Sequence, residues 1–179
     1  EEIMNTQTTL LDPTAELKPV ERQLLPRLAS LDGATVGLLD ISKPRGREFL
    51  DEIEKQLLEM GAQVKRYSKP TFTRVAPTEL TQKISVECDA VIEGLADWGS
   101  CTSCSLHDIL DLESRGLPSG FVASAEFVEA AAAQGKSLGI KPASVFVAHP
   151  IQDRTDDEMA ALARGAIDSV TAMIVDKTV

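Results

Sequence analysis

Basic residues and long apolar runs are scarce in this sequence, and each shortage excludes a class of function. The 179 residues carry 18 Lys and Arg against 28 Asp and Glu, a formal net charge of −10, and the basic residues form no block. Because clusters of Lys and Arg bind nucleic acids and anionic membranes, we expect neither as a partner. No apolar run reaches the ~18 residues of a membrane span, and residues 1–11 lack the features of a signal peptide, so we expect a cytoplasmic protein.

Proline is unevenly spread and divides the chain in two. Pro13, Pro19 and Pro26 interrupt any helix near the start, which predicts an extended arm over residues 1–30. Such an arm straps the domain, contacts another subunit or covers a site. Residues 31–179 are enough for one well-buried core and too few for two, which predicts a single α/β domain.

Short apolar runs alternate with helical periodicity from Ala34 onward. Runs typical of buried strands cover residues 34–41, 64–67, 89–95, 118–123 and 144–148. Helical segments follow them at 47–60, from Pro77, from the cysteines to Gly116, at 126–134 before Gly135, and at 156–174. Because parallel strands need helical crossovers, the alternation predicts a three-layer α/β fold: an open parallel sheet of about five strands in the flavodoxin-like order 2-1-3-4-5.

The carboxyl ends of the predicted strands indicate where a ligand would bind. In open parallel sheets ligands lie at the switch point of the strand order, here between the first and third strands. This rule brings together the loops at 42–46, 97–103 and 124–127 with the end of the fifth strand. Candidate substrate-binding residues on these loops are Lys43, Arg45, Asp97, Trp98, Ser100, Thr102 and Phe127. The two histidines, His107 and His149, are expected to face the same crevice.

Two of the three cysteines come directly after the third predicted strand. In a reducing compartment three cysteines do not form a disulfide framework, which favours a chemical role. A thiol at the start of a helix meets unpaired backbone N–H groups, whose partial positive charge favours the thiolate. Gly99 is expected to take a positive φ before this helix, with Thr102 or Ser103 as its cap. Cys101 and Cys104, three residues apart, are then placed for a disulfide or a shared metal.

These residues support two kinds of chemistry beside the ordinary alternative of core packing. In the first, Cys101 is the nucleophile of an enzyme or catalytic subunit that acts on a small molecule, Cys104 is the second thiol, and His107 or His149 is the acid/base. Thiolate attack followed by disulfide formation cleaves a C–N, C–S or C–halogen bond reductively, and we favour this oxidoreductase over a hydrolase or lyase. In the second, zinc or another thiophilic metal is bound by Cys101, Cys104, His107 and His149. Neither a metal nor any other cofactor is favoured over the enzyme without one.

Several sequence features along residues 35–151 can be compared, in their order and spacing, with a known family. They are the strand 36–40, the run Gly99-Ser100-Cys101, His107-Asp108, the segment 112–118, Phe127 and the segment 147–151. In order and spacing they resemble the bacterial UGSC-motif proteins, which are named for a run of selenocysteine, Gly, Ser and Cys and often have cysteine first. The stretch is more remotely similar to the selenocysteine subunit of glycine and betaine reductases. There a selenol takes part in reductive cleavage of a C–N bond.

Trp98 stands where the UGSC-motif proteins have selenocysteine or cysteine, so the family's reactive pair is broken here. Cys101 keeps the second position, and Cys104 supplies a thiol on its other side. A non-catalytic partner subunit of a heteromeric enzyme is therefore a third interpretation. Because open parallel sheets often associate, we expect a homo-oligomer or a subunit of a hetero-oligomer.

Overall fold

Five apolar segments form one parallel sheet. The computed structural model describes residues 21–176, so residues 1–20 of the predicted arm lie outside the described part. The strands are β1 (Thr35–Asp40), β2 (Gln63–Ser68), β3 (Ala90–Ala96), β4 (Ser119–Ser124) and β5 (Ala143–Val147). They pair in parallel in the order β2-β1-β3-β4-β5, which confirms the predicted order.

Helices cover both faces of the sheet. They are α1 (Gly46–Glu59), α2 (Thr78–Glu87), α3 (Gly99–Ser114), α4 (Val128–Leu138) and α5 (Asp156–Thr171). On one face α1 and α5 share a core that includes Phe49 and Ile167. On the other face α2, α3 and α4 share a core that includes Ile84 and Leu106. The predicted three layers are thus confirmed, and within residues 21–176 no helix is long and apolar enough to cross a membrane.

The central strand β3 positions the part of the molecule where a ligand is expected. All of its residues are buried, as is typical of a parallel strand with helices on both faces. β3 and β2 lie on opposite sides of β1, so the strand order reverses at the carboxyl ends of β1 and β3. The chain leaves β3 through Asp97 and Trp98 and enters α3 at once. The beginning of α3 therefore lies at the switch point.

The fourth helix differs from the sequence prediction at both ends. A single 3₁₀ turn occupies Ala125–Phe127, and α4 continues through Gly135 instead of ending before it. At Gly135 a Cβ would lie 2.7 Å from the carbonyl oxygen of Ile140, so glycine allows the chain to pass closely there. Gly139 ends the helix, with a left-handed φ of 69°. The two glycines have different roles that periodicity does not distinguish.

Residues 21–30 run along the domain without forming a helix. Glu113, which is buried near the end of α3, anchors this segment. Its carboxylate accepts a hydrogen bond from the backbone N–H of Leu25 at 2.8 Å and another from the guanidinium of Arg27 at 2.6 Å. The described part of the predicted arm is therefore joined to the domain through a buried carboxylate.

Candidate functional site

The turn after β1 holds two residues in the left-handed conformation. Ser42 has a φ of 65° and Arg45 a φ of 72°, which residues other than glycine rarely adopt and which cost about 1–2 kcal/mol each. The N–H of Ser42 donates to Oδ1 of Asp40 at 2.7 Å, and its Oγ donates to the carbonyl of Lys69 at 2.5 Å. These bonds stabilise a strained turn that carries Lys43.

Lys43 is nearly buried at this edge of the sheet, with 5% of its surface exposed. Its Nζ lies 4.8 Å from the centroid of the Phe72 ring and 5.0 Å from the centroid of the Trp98 ring. Both distances are within the range of cation–π contacts. Among residues 21–176 no Asp or Glu forms an ion pair with Lys43. The lysine is therefore held by aromatic faces rather than by a carboxylate.

Asp97 and His149 form a hydrogen-bonded pair at the same edge, between the loops that follow β3 and β5. The distance between Asp97 Oδ1 and His149 Nδ1 is 3.0 Å. The aspartate side chain is 5% exposed, whereas the histidine side chain is 42% exposed. Because a carboxylate only accepts hydrogen bonds, Nδ1 of His149 carries the proton and, in a neutral ring, Nε2 is the basic nitrogen. The pair thus presents an oriented imidazole to solvent.

Cys101 caps the first turn of α3 with its sulfur. The Sγ atom accepts a hydrogen bond from the N–H of Trp98 at 3.2 Å and donates to the carbonyl of Trp98 at 3.1 Å. The hydroxyl of Thr102 donates to the same carbonyl at 2.9 Å. Cys101 is 1% exposed. The expected cap at Thr102 or Ser103 and the positive φ at Gly99 are therefore wrong, because the helix already begins at Gly99 and its first turn closes on Trp98.

Cys104 and His107 do not join Cys101 and His149 in one cluster. His107 Nε2 lies 3.2 Å from Nε2 of Gln134 on α4, and the same amide nitrogen donates to Ser103 Oγ at 2.7 Å. Burial raises the pKa of the Cys104 thiol, which disfavours its thiolate. The cysteines are free thiols. In the part of the chain that the structure describes, no three His, Cys, Asp or Glu side chains are grouped to hold a metal ion.

The remaining predicted binding residues fall into two groups. Ser100 is exposed in the first turn of α3, and the ring of Phe127 lies beside Gly99, where a Cβ would be 3.9 Å from a ring carbon. Both therefore border the beginning of α3. Arg45 instead pairs with Asp156 at the start of α5, with 2.7 Å between Nη2 and Oδ1. The charge of Arg45 is thus matched within the protein.

A buried group of charged residues beneath the same loops was not predicted from the sequence. Lys69, which follows β2, donates from Nζ to Oδ2 of Asp108 on α3 at 2.5 Å and lies 3.5 Å from Oε1 of Glu93 on β3. Ser105 Oγ donates to the same Glu93 oxygen at 2.8 Å, and the N–H of Ala76 donates to Asp108 Oδ1 at 2.7 Å. The one signal available in the sequence was a glutamate inside an otherwise apolar strand.

The electrostatics of this group are set by burial and by the two acids. Burial, reinforced by the charge of Asp108, raises the pKa of Glu93 well above its ordinary value. Burial would lower the pKa of Lys69, but the charges of Glu93 and Asp108 outweigh it and raise this pKa. The 2.5 Å hydrogen bond makes Lys69 and Asp108 the closest charged pair of the group, and burial disfavours the ionised form of Glu93.

One solved structure with a similar fold is the crystal structure of diflavin flavoprotein A3 from Nostoc sp.. Its sequence is 13% identical, its TM-score is 0.50, and the alignment covers 79% of this chain and 94% of that chain. At this identity the likeness concerns the fold alone, which is the flavodoxin-like arrangement of the sheet.

Sequence comparison gives a more specific result than the fold. A search of curated proteins returns no match. The sequence model of the UGSC family, in contrast, matches residues 9–176. This range includes strands β1 to β5, the beginning of α3 and the Asp97–His149 pair. A match of this extent shows that the chain belongs to the UGSC family.

Proposed function

We propose that this protein is an enzyme that acts on a small molecule by acid–base chemistry, with His149 as the acid/base and Asp97 as its positioning residue. The observation that carries the proposal is the 3.0 Å hydrogen bond between a buried carboxylate and an exposed imidazole at the switch point of the sheet. Such a bond fixes the tautomer and orientation of the ring and stabilises the imidazolium that forms when Nε2 accepts a proton.

The proton transfer itself needs only groups of this chain, the substrate and water. Nε2 of His149 takes a proton from a substrate C–H or O–H group or from a water molecule, and the charged ring is stabilised by Asp97. The same nitrogen then returns the proton to the leaving group or the product. This sequence of steps fits a lyase or a hydrolase and needs no electron donor.

The cysteines support thiol chemistry less well than the histidine supports acid–base chemistry. A nucleophilic thiol has to be exposed and ionised, whereas Cys101 is 1% exposed and is bonded to both backbone groups of Trp98. The raised pKa of Cys104 disfavours its thiolate as well. The reductive reaction that the sequence favours is therefore not the one that the geometry supports best.

Proton exchange measured by ¹H NMR in D₂O tests the proposal without knowledge of the full reaction. The protein is incubated with a panel of small hydroxy, amino and thio acids and their phosphorylated counterparts, and the loss of substrate C–H signals or the appearance of products is followed. We expect His149→Gln to lower the rate by about 10²–10⁴-fold, the usual contribution of an acid/base group. Asp97→Asn should lower it as well, because it removes the acceptor that orients the ring.

Two further variants serve as controls in the same assay. His107→Gln alters the other histidine, which contacts Gln134, and should leave the rate unchanged. Cys101→Ser replaces the thiol with a hydroxyl that can make the same two bonds to Trp98, so it should retain activity. Loss of activity in Cys101→Ser with full activity in His149→Gln would show thiol chemistry instead. Lack of exchange and of products across the panel would also contradict the proposal.

A further inference from the structure

Lys43 is the starting point for a more specific inference about the substrate. An ammonium group removed from water is unfavourable unless an opposite charge or hydrogen-bond acceptors replace the solvent. Lys43 is 5% exposed, and its Nζ, which is not fully buried, makes no hydrogen bond or ion pair within residues 21–176 and lies over the rings of Phe72 and Trp98. Two aromatic faces compensate part of the lost hydration and leave the positive charge unmatched.

The backbone holds Lys43 in this position at a cost. Ser42, directly before Lys43, and Arg45, two residues after it, have positive φ angles of 65° and 72°. Strain of this kind persists only where surrounding contacts enforce it, and it is concentrated at functional sites. Here the enforcing contacts are the hydrogen bonds of Ser42 to Asp40 and to the carbonyl of Lys69. The turn therefore keeps a cation beside Trp98 instead of releasing it to solvent.

The beginning of α3 supplies a second positive feature at the same place. The first N–H groups of a helix have no partner within the helix, and they give its N-terminus a partial positive charge. Trp98 precedes this helix, and its indole has no acceptor with which to cap these groups. No acidic residue lies in the first turn, and Gly99 and Ser100 are exposed. The positive end of α3 is thus open where the side chain of Trp98 meets Lys43.

From these observations we infer that Lys43 and the first turn of α3 bind an oxyanion group, a carboxylate or a phosphate, of the substrate. The ammonium of Lys43 provides the full charge, and the N–H groups of Gly99 and Ser100 provide hydrogen bonds. The inference rests on the proposed function, because Trp98 directly follows the Asp97 that orients His149. An anion held at this turn places the rest of the substrate beside the imidazole.

The fluorescence of Trp98 reports binding at this site directly. Trp98 is the only tryptophan of the chain, is 61% exposed and lies 5.0 Å from Lys43 Nζ, measured to the ring centroid. The protein is titrated with sodium phosphate and, separately, with sodium acetate, and sodium chloride keeps the ionic strength constant. We expect a saturable change in emission with at least one of the two anions. The anion that responds indicates whether the substrate carries a phosphate or a carboxylate.

Variants connect the signal to the proposed residues. Lys43→Met should weaken binding by about tenfold or more, because a charge-assisted contact is lost, and Lys43→Arg should retain part of it. The matched control is Lys83→Met on α2, which removes a lysine that lies over Tyr67, 5.9 Å from its ring centroid, and should bind as the wild type does. Circular dichroism confirms that each variant is folded.

The outcomes separate this inference from the proposed function. His149→Gln should bind the anion with unchanged affinity while losing catalysis, so a failure of the catalytic proposal leaves the binding result intact. The inference is wrong if neither anion gives a saturable response in the wild-type protein. It is also wrong if a folded Lys43→Met variant binds as tightly as the wild type.

Discussion

Two lysines follow neighbouring strands of the sheet, and the protein treats their charges in opposite ways. Lys69, after β2, is 2% exposed and lies between Asp108 and Glu93. Lys43, after β1, is 5% exposed and lies between two aromatic rings. Burial of a lysine therefore does not by itself indicate its role. A counter-charge inside the protein makes Lys69 part of the fold, whereas Lys43, which has none within residues 21–176, is the lysine that we propose binds a ligand.

The two histidines show a related difference. Nε2 of His107 lies against the side-chain amide of Gln134, between α3 and α4. Nε2 of His149 makes no hydrogen bond to residues 21–176, and its Nδ1 is held by Asp97. One imidazole is engaged within the protein, and the other is oriented with its basic nitrogen unoccupied. Of these two lysines and two histidines, Lys43 and His149 each have a nitrogen, Nζ and Nε2, that makes no hydrogen bond or ion pair within residues 21–176, and both residues follow strands at the same edge of the sheet.

The largest expected effect concerns the paired lysine. Lys69→Met removes the cation from the buried group and leaves the carboxylate of Asp108 without its ion-pair partner. Breaking a buried ion pair in this way costs about 3–5 kcal/mol. We therefore expect the free energy of unfolding to fall by about that amount in urea denaturation at neutral pH.

Lys43→Met is the matched comparison for this measurement. It removes cation–π contacts worth about 0.5–2 kcal/mol and places an apolar side chain between two rings, so stability should change by less than about 1 kcal/mol. Equal losses in the free energy of unfolding for Lys69→Met and Lys43→Met would contradict the different roles assigned to the two lysines. A larger loss for Lys43→Met would reverse these roles.

A smaller effect is expected from Glu93 and depends on pH. Burial, reinforced by Asp108, raises the pKa of Glu93 well above its ordinary value of 4.5. The folded protein then keeps a proton that the unfolded chain releases above about pH 4.5. Because the unfolded chain binds fewer protons in this range, the free energy of unfolding falls as pH rises from about 4.5 toward the raised pKa of Glu93. Glu93→Gln removes the titration. The decline of stability with pH should become shallower by up to about 1.4 kcal/mol per pH unit, the value for one proton.

Urea denaturation of the wild type and of Glu93→Gln at several values between about pH 5 and about pH 8 measures this slope. The two stability curves should converge toward low pH and separate toward high pH, with the variant more stable. Parallel curves would mean that Glu93 ionises in the folded protein as it does in the unfolded chain, and burial would then not raise its pKa.

The fold was predictable because its signals are local. Each apolar run is long enough for a buried strand, each is followed by helical periodicity, and handedness and crossover rules leave few arrangements of five such units. The end of α4 was not predictable, because Gly135 and Gly139 look alike in sequence. What separates them is the approach of Ile140 to Gly135, a tertiary contact.

The candidate site was predictable as a place but not as a set of contacts. The switch-point rule gathered the loops of Lys43, Asp97 and His149 without any knowledge of the structure. It did not show that His107 faces Gln134 or that the sulfur of Cys101 caps α3, because both depend on the angle at which α3 leaves the sheet. Nor did it indicate that Lys69 reaches Asp108, since that pair forms between residues far apart in sequence.

The most direct test of the account is a ¹H NMR titration of the two histidine Hε1 resonances with the anion that changes Trp98 emission. His107→Gln assigns the two signals, because the chain contains only two histidines. If Lys43 and the Asp97–His149 pair form one site, the His149 signal shifts with the same saturation midpoint as the fluorescence, and the His107 signal does not move. An unmoved His149 signal, or equal shifts of both histidines, would contradict the account.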